Sequence, residues 1–246
     1  MFEKQFELRY FEMNEHGEAS PATVLTLLEE TASDHCSFID HSLYQLIKQN
    51  IGWVLISGMM KIDRYPRHKE IVTIRTWLSD YSEVKGTREN IIYDERGKII
   101  GRGKGLWVFY DIKRKRPVKI FNDIKEKWSC YDEESIVHDI TKKIKAIDTA
   151  EYIQEFHVNR NDIDMNHHVN NISYLKWVME SIPDDIIDNC YLHTIDGRFI
   201  SEAKYEDTIM SYTGTDGSNN SFIHAIKVQS NNKVCATAKT FWKERK

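Results

Sequence analysis

The chain has 246 residues, 41% of them hydrophobic, with 6 Trp and 12 Tyr. That is enough apolar material for one large domain or two small ones, and too much for global disorder. A formal net charge of -4 gives no bulk attraction to nucleic acid, so no nucleic-acid partner is expected. The cysteines Cys36, Cys130, Cys190 and Cys235 form no C-x-x-C pair, Met1 to Glu7 lacks a signal-peptide layout, and no uncharged apolar run reaches the roughly 18 residues of a membrane helix; a reduced, cytoplasmic chain without a membrane span is expected.

The first helix starts at Ser20, a natural N-cap, followed by Pro21, which suits the first helical position. Val24, Leu25, Leu27, Leu28 and Ala32 give it an apolar stripe. Trp53 to Ile56 and Ile71 to Trp77 are β-branched and aromatic, as strands are. Glu89 to Tyr93, the turn Asp94-Glu95-Arg96-Gly97 and the run Ile99 to Tyr110 read as a hairpin. Gly101, Gly103 and Gly105 fall inside that returning strand, so they are strand glycines rather than a dinucleotide-binding loop, which would open a helix. Residues 112–150, beginning with Lys113-Arg114-Lys115-Arg116-Pro117, read as a charged connector with one helix. A strand over 151–158 follows, then a helix over about 172–182, capped by Asn170 or Asn171 and stopped by Pro183, then strands near 191–203, 206–214, 221–230 and 233–243.

The element order thus occurs twice. Glu12, Asn14 and His16 precede the first helix as Asp164, Asn166 and His168 precede the second, 152 residues apart; Lys104-Gly105-Leu106-Trp107 answers Lys239-Thr240-Phe241-Trp242, 135 apart. About 17 extra residues then belong to the first half, around 33–50. A helix with one apolar stripe among five strands must bury that stripe on the sheet. The expected fold class is α+β, a tandem (double) hot-dog: two curved antiparallel sheets, each wrapped around a helix. The expected boundaries are 1–111 for the N-terminal repeat, 112–150 for the connector and 151–246 for the C-terminal repeat, which would carry the catalytic residues.

No G-x-S-x-G elbow, Walker loop or H-E-x-x-H motif is present. The dense polar cluster is Asp162-Ile163-Asp164-Met165-Asn166-His167-His168-Val169-Asn170-Asn171, between a strand and a helix. Three readings are open on composition: a turn and helix cap; an acid/base site for attack on a thioester carbonyl, with the helix N-terminus nearby to hold an oxyanion; or a metal site from His157, Asp164, His167 and His168, for which adjacent loop histidines are a weak ligand pattern.

The stretch from Asp162 to Ser181, with the core D-x-N-x-H-V-N-N followed by Tyr174, Trp177 and Glu180-Ser181, closely resembles the signature of plant and bacterial acyl-acyl carrier protein thioesterases. The tandem arrangement extends the resemblance over nearly the whole chain. It implies a thioester hydrolase that releases free fatty acid from acyl-acyl carrier protein, with acyl carrier protein as partner and no cofactor or metal. Plant members carry a transit peptide ahead of this region, which is not expected here. Transferred residue by residue, the catalytic set is Asp164, Asn166, His168 and a glutamate of the following strand, Glu202. Glu206 and Asp207 lie close by in sequence. Where the plant pattern has a cysteine, this chain has Ala203, so no cysteine nucleophile is expected there.

In the mechanism this implies, Glu202 and His168 activate water, Asp164 orients the loop, Asn166 supports the thioester, and backbone N–H groups near Asn170 and Asn171 stabilise the oxyanion. A mixed anhydride on Asp164 is the alternative. The sheet spacing of 137 residues puts Tyr65 opposite Glu202, so the first repeat lacks a complete set and is expected to bind the acyl chain. Lys113, Arg114, Lys115 and Arg116, with Lys119, Lys125 and Lys127, are the candidate docking patch for an acidic carrier protein. The rivals are an acyl-coenzyme A thioesterase and a non-catalytic acyl-binding regulatory module, against which the four-residue set argues. The internal duplication could replace a hot-dog dimer, and it leaves room for a further homodimer.

Overall fold

The computed structural model describes residues 1–218 and 220–245. The chain divides into two compact units, Met1–Ile140 and Thr141–Lys246. The first contains β1 (Phe2–Glu7), a 3₁₀ turn (Tyr10–Glu12), α1 (Pro21–Phe38), α2 (Leu43–Lys48), β2 (Ile51–Ile62), β3 (Ile71–Tyr81), β4 (Lys85–Tyr93), β5 (Ile99–Asp111), β6 (Arg116–Pro117) and α3 (Asn122–Lys127). The second contains β7 (Tyr152–His157), a 3₁₀ turn (Arg160–Asp162), α4 (Asn171–Met179), α5 (Asp184–Asn189), β8 (Cys190–Phe199), β9 (Thr208–Thr215), β10 (Ser221–Val228) and β11 (Lys233–Glu244). Strand order within the first unit is β1-β3-β4-β5-β2, with β6 on β5; within the second it is β7-β9-β10-β11-β8. The two orders are the same topology, all antiparallel, as a tandem hot-dog requires.

Each sheet receives one helix. Ser20 caps α1 by accepting from the Thr23 N–H at 3.0 Å, and Pro21 opens it. Val24, Leu27 and Leu28 are buried on its inner face, each contributing about 1.5–3 kcal/mol of burial. The helix lies close to the strands because β5 carries no side chain there. A Cβ on Gly103 would meet Leu28 Cδ1 at 3.0 Å, and one on Gly101 would meet Ile62 Cδ1 at 2.7 Å. Gly103 thus lets α1 settle on β5, while Gly101 makes room for Ile62 of the neighbouring strand. Bulges at Leu55/Ser57, Leu78/Asp80 and Ile92/Tyr93 bend the strands of this sheet.

Residues 112–140 belong to the first unit, where Ile120, Ile124 and Trp128 bury against Phe109, Leu46 and Ile51. Glu89 on β4 is fully buried and accepts from Ser79 Oγ (2.9 Å), Ser135 N (3.0 Å) and Ser135 Oγ (2.6 Å). Lys104 on β5 lies 3.6 Å from Glu89 and 2.6 Å from Glu134. This buried ion pair pins residues 134–136 to the sheet, and losing one partner would strand the other charge.

In the second unit Tyr174, Trp177 and Val178 of α4 pack on Ile209, Ile226, Val228, Cys235 and Ala236. The helix expected to reach residue 182 ends at Met179, and Pro183 caps a short second helix, α5, that the sequence reading did not anticipate. A proline at that junction serves both ends, because it cannot continue one helix and can precede the next. Beyond α4 a buried polar chain replaces apolar packing. Ser181 Oγ meets Ser211 Oγ and Thr213 Oγ1, and Thr213 Oγ1 meets His224 Nδ1 at 2.8 Å. His224 Nε2 then meets Thr240 Oγ1 at 2.9 Å, to which Trp242 Nε1–H also donates.

The two units also fix the repeat register. Asn14 N–H donates to Glu18 O, Gly17 N–H to Asn14 O, and Ser20 N–H to Glu12 O; Asp164 N–H donates to His168 O, His167 N–H to Asp164 O, and Asn170 N–H to Asp162 O. Gly17 and His167 share a positive φ, 69° and 61°. The true spacing is therefore 150 residues, and the expected 152 is corrected. Matching by residue type slid the two loops by two positions, whereas the hydrogen bonds align Asn14 with Asp164, His16 with Asn166 and Glu18 with His168. After the helices, Leu8 N–H donates to Glu70 O as Val158 N–H donates to Asp207 O, which restores the spacing of 137 and sets Tyr65 against Glu202. The first unit spends most of its extra length on α1, 18 residues against 9 in α4.

Burial holds His224 neutral, its pKa lowered from 6.5 to about 3. Below 6.5 the unfolded chain takes up a proton that the folded chain refuses, so the stability this residue contributes is present above 6.5 and is lost as pH falls toward 3. His35 acts in the same direction. We expect His224→Asn, which carries the side chain found at the matching β4 position (Asn90), to melt lower at neutral pH, and its Tm to fall less steeply than wild type on acidification. Calorimetry across that window checks this; parallel slopes would dismiss His224 as a source of acid lability.

Candidate active site

The polar loop between β7 and α4 is organised around two aspartates. Asp162 ends the 3₁₀ turn. Its Oδ2 accepts from Asn159 N–H at 2.8 Å, its Oδ1 from Ser173 Oγ–H at 2.8 Å, and its carbonyl from Asn170 N–H at 2.8 Å. It therefore ties the loop to the first turn of α4. Asp164 closes the loop itself. Its Oδ1 accepts from Asn166 N–H (2.8 Å) and His168 N–H (3.2 Å), and its Oδ2 lies 3.4 Å from Asn166 Nδ2. Such an Asx turn needs a short side chain with an acceptor, which is why Asp or Asn stands here. Asn170 caps α4 by accepting from Ile172 N–H at 2.9 Å.

The backbone N–H of Asn170 is spent on Asp162 and that of Ile172 on the Asn170 side chain, so neither points to a substrate. Of the groups near the helix start, the Asn166 amide retains a second N–H.

Glu202 reaches the loop from the other direction. The sequence reading put it in a strand, but β8 ends at Phe199, so Glu202 lies on the turn to β9. The chain leaves the sheet there because Ile200 and Ser201 N–H both donate to Cys235 O, and Ser201 Oγ donates to Val234 O. Ala203 N–H donates to Tyr174 Oη at 3.2 Å, which anchors the residue after Glu202 to α4. His168 Nε2 then stands 3.4 Å from Glu202 Oε1, with both side chains partly open, 25% and 32% exposed. Asp164, Asn166, His168 and Glu202 are thus brought together; His167 and Met165 point outward.

The sequence reading gave Tyr174 and Ser173 no role. Tyr174 sits on the apolar face of α4, and burial pushes its hydroxyl pKa up, so it stays protonated. A buried tyrosine needs a hydrogen-bond partner, and that requirement was the available signal.

The corresponding loop of the first unit has the same backbone and different chemistry. Asn14 Oδ1 accepts from His16 N–H (3.0 Å) and Glu18 N–H (3.1 Å). Glu18 lies 3.9 Å from Arg67. His16, chosen as the partner of His168, occupies the place of Asn166.

Of the basic run, Lys113, Lys115 and Arg116 are exposed on the β5–β6 turn, while Arg114 lies 3.7 Å from Asp111. Lys119 and Lys125 share Glu83, and Lys127 pairs with Asp40, so with Arg114 four of the seven basic side chains have an acidic partner. Among the described residues no helix is long and apolar enough to cross a membrane.

Comparison with known proteins agrees with this architecture. The chain is 26% identical over 276 residues to the chloroplastic oleoyl-acyl carrier protein thioesterase 1 of Arabidopsis thaliana, covering 99% of this chain and 76% of the relative. It is 26% identical over 261 residues to the chloroplastic palmitoyl-acyl carrier protein thioesterase of Cuphea hookeriana, covering 100% of this chain and 63% of the relative, under two thirds of that protein's length. Among solved structures, the 12:0-ACP thioesterase from Umbellularia californica superposes with a TM-score of 0.87 at 22% identity over 99% of this chain and 97% of that one. An acyl-ACP thioesterase from Bacteroides thetaiotaomicron gives 0.86 at 20% over 98% and 97%, and the two show the shared fold. Residues 1–128 match the acyl-ACP thioesterase N-terminal domain and residues 144–244 the C-terminal domain, so the chain belongs to the acyl-ACP thioesterase family.

Proposed function

We infer that Asp164, Asn166, His168 and Glu202 form the catalytic centre of this chain, a thioesterase that hydrolyses fatty acyl-acyl carrier protein to free fatty acid. The observation that carries the reading is the 3.4 Å approach of His168 Nε2 to Glu202 Oε1 beside a loop closed by Asp164. Both side chains are partly open, so a water can sit against them. Glu202 and His168 position that water and take its proton as its oxygen attacks the thioester carbonyl carbon. Negative charge then develops on the carbonyl oxygen, and the remaining N–H of Asn166 is the side-chain donor for it. Collapse of the tetrahedral intermediate breaks the C–S bond, and His168 returns the proton to the leaving thiolate.

Attack by Asp164 through a mixed anhydride is disfavoured. One of its oxygens accepts two backbone N–H bonds, which lowers nucleophilicity and fixes its direction. Its role here is to hold Asn166 and His168 in register. In the first unit Asn14, His16, Glu18 and Tyr65 stand in the four places, without the imidazole–carboxylate pair. That repeat is read as the one that holds the acyl chain. The cytoplasm is the proposed location, which suits the free thiols of the four cysteines.

His168→Ala and Asp164→Ala are each expected to lower turnover of acyl-acyl carrier protein by at least about 10²-fold while remaining folded, and His16→Ala to keep most activity. Steady-state kinetics with circular dichroism on each variant tests this; a folded His168→Ala at near-wild-type rate removes His168 from the mechanism.

Exhaustive chelation is expected to leave turnover unchanged. A loss restored by one specific metal would replace the water mechanism with a metal-assisted one.

The exposed Lys113–Arg116 turn is proposed to guide an acidic carrier protein. Reversing Arg114 and Lys115 to Glu should raise KM for acyl-acyl carrier protein and leave hydrolysis of acyl-pantetheine unchanged, with the difference shrinking in salt as exposed charges are screened. An unaltered KM returns the turn to a purely solubilising role.

A further inference from the structure

Two cations stand at the rim of the candidate centre without acidic partners. Arg160 is exposed on the 3₁₀ turn, two residues before Asp162, and its Cζ lies 4.9 Å from the centroid of the Tyr205 ring. Tyr205 is the third residue after Glu202, so this cation–π contact bridges the two loops that carry His168 and Glu202. Stacking of this kind holds a guanidinium in place without neutralising it. Lys204, next to Tyr205, is also exposed. Among the described residues no carboxylate lies within ion-pair distance of either side chain.

Of the nearby acids, Glu206 is exposed and pairs with neither cation among the described residues. Asp162 accepts from Ser173 and Asn159, and Asp207 accepts from the Lys204 backbone N–H at 2.8 Å. A third cation, Lys233, places Nζ 3.5 Å from the carbonyl oxygen of Glu202 itself.

The first unit has no such rim. The places of Arg160 and Tyr205 are taken by Tyr10 and His68, which meet edge to face at 5.9 Å, and the place of Lys204 by Arg67, which lies against Glu18. Arg160 and Lys204 thus accompany the loop that brings His168 to Glu202, whereas in the first unit His16 faces only its chain neighbour Glu15, at 3.9 Å. Cations that are not neutralised at the rim of a site attract an anionic part of its substrate.

We propose that Arg160 and Lys204 bind the phosphate of the phosphopantetheine arm that presents the thioester. The proposal rests on the catalytic reading of His168 and Glu202. The arm's phosphate is the anionic group joined to the reacting carbon by the shortest path of bonds. A guanidinium over an aromatic ring keeps its N–H donors available to phosphate oxygens, and Lys204, adjacent to Tyr205 in the chain, adds a point charge.

The test uses one acyl group on three carriers: pantetheine, 4′-phosphopantetheine and acyl carrier protein. Wild type should show a lower KM for the phosphorylated arm than for the bare one. Arg160→Gln/Lys204→Gln should raise KM about tenfold for both phosphate-bearing substrates, the scale of losing a charge-assisted hydrogen bond, with kcat and acyl-pantetheine hydrolysis unchanged. A KM change confined to the carrier-protein substrate would mean that these cations read the protein surface, and would overturn the proposal. So would equal changes on all three substrates, or no change on any. The underlying catalytic reading is checked separately, since acyl-pantetheine hydrolysis by wild type must be lost in His168→Ala.

Discussion

The hydrogen bond from Ala203 N–H to Tyr174 Oη ties the second unit's chemistry to its core. Tyr174 is clamped by Trp177 and Phe199 at ring distances of 5.1 and 5.5 Å, so its oxygen is a fixed point. One end of α4 carries Asn170 and Ser173, which hold the Asp164–His168 loop. The middle carries Tyr174, which holds the turn with Glu202. A nine-residue helix therefore sets the distance between imidazole and carboxylate, and it does so because its apolar face is locked onto β9 and β10. Positioning by a packed helix is more exact than positioning by either loop alone.

The two units show how much of such a site is backbone. Both loops place an Asx side chain under two N–H groups, put a left-handed residue three positions later, and return to a helix cap. Glycine takes the left-handed position in the first unit. Histidine takes it in the second, against a cost of about 1–2 kcal/mol that the surrounding hydrogen bonds must hold. The loop geometry stands in both; the approach of an imidazole to a glutamate on the opposite turn stands in the second.

Much of this was legible in the sequence. Ser20-Pro21 announced α1, the repeated order of elements announced the tandem fold, and the run from Asp162 to Asn171 announced the loop. The register between the repeats was misread because matching Asn14 to Asn166 and His16 to His168 rewards side-chain identity, while the hydrogen-bond frame aligns Asn14 with Asp164. The position of Glu202 off the strand was hidden as well, since Phe199-Ile200 continues a β-like pattern that ends only because residues 200 and 201 share the Cys235 carbonyl. The Arg160–Tyr205 contact joins residues 45 apart in the chain, and no local pattern marks it.

The common loop frame has a consequence for how such chains change over time. Its spacing, its left-handed turn and its helix cap are satisfied equally by Asn14-Glu15-His16-Gly17-Glu18 and by Asp164-Met165-Asn166-His167-His168. A duplicated hot-dog can therefore gain or silence a catalytic centre through a few point substitutions, with no insertion, no deletion and no refolding of the sheet. Either copy can then take on a different task under the same architectural constraints, because the frame does not depend on which side chains it carries.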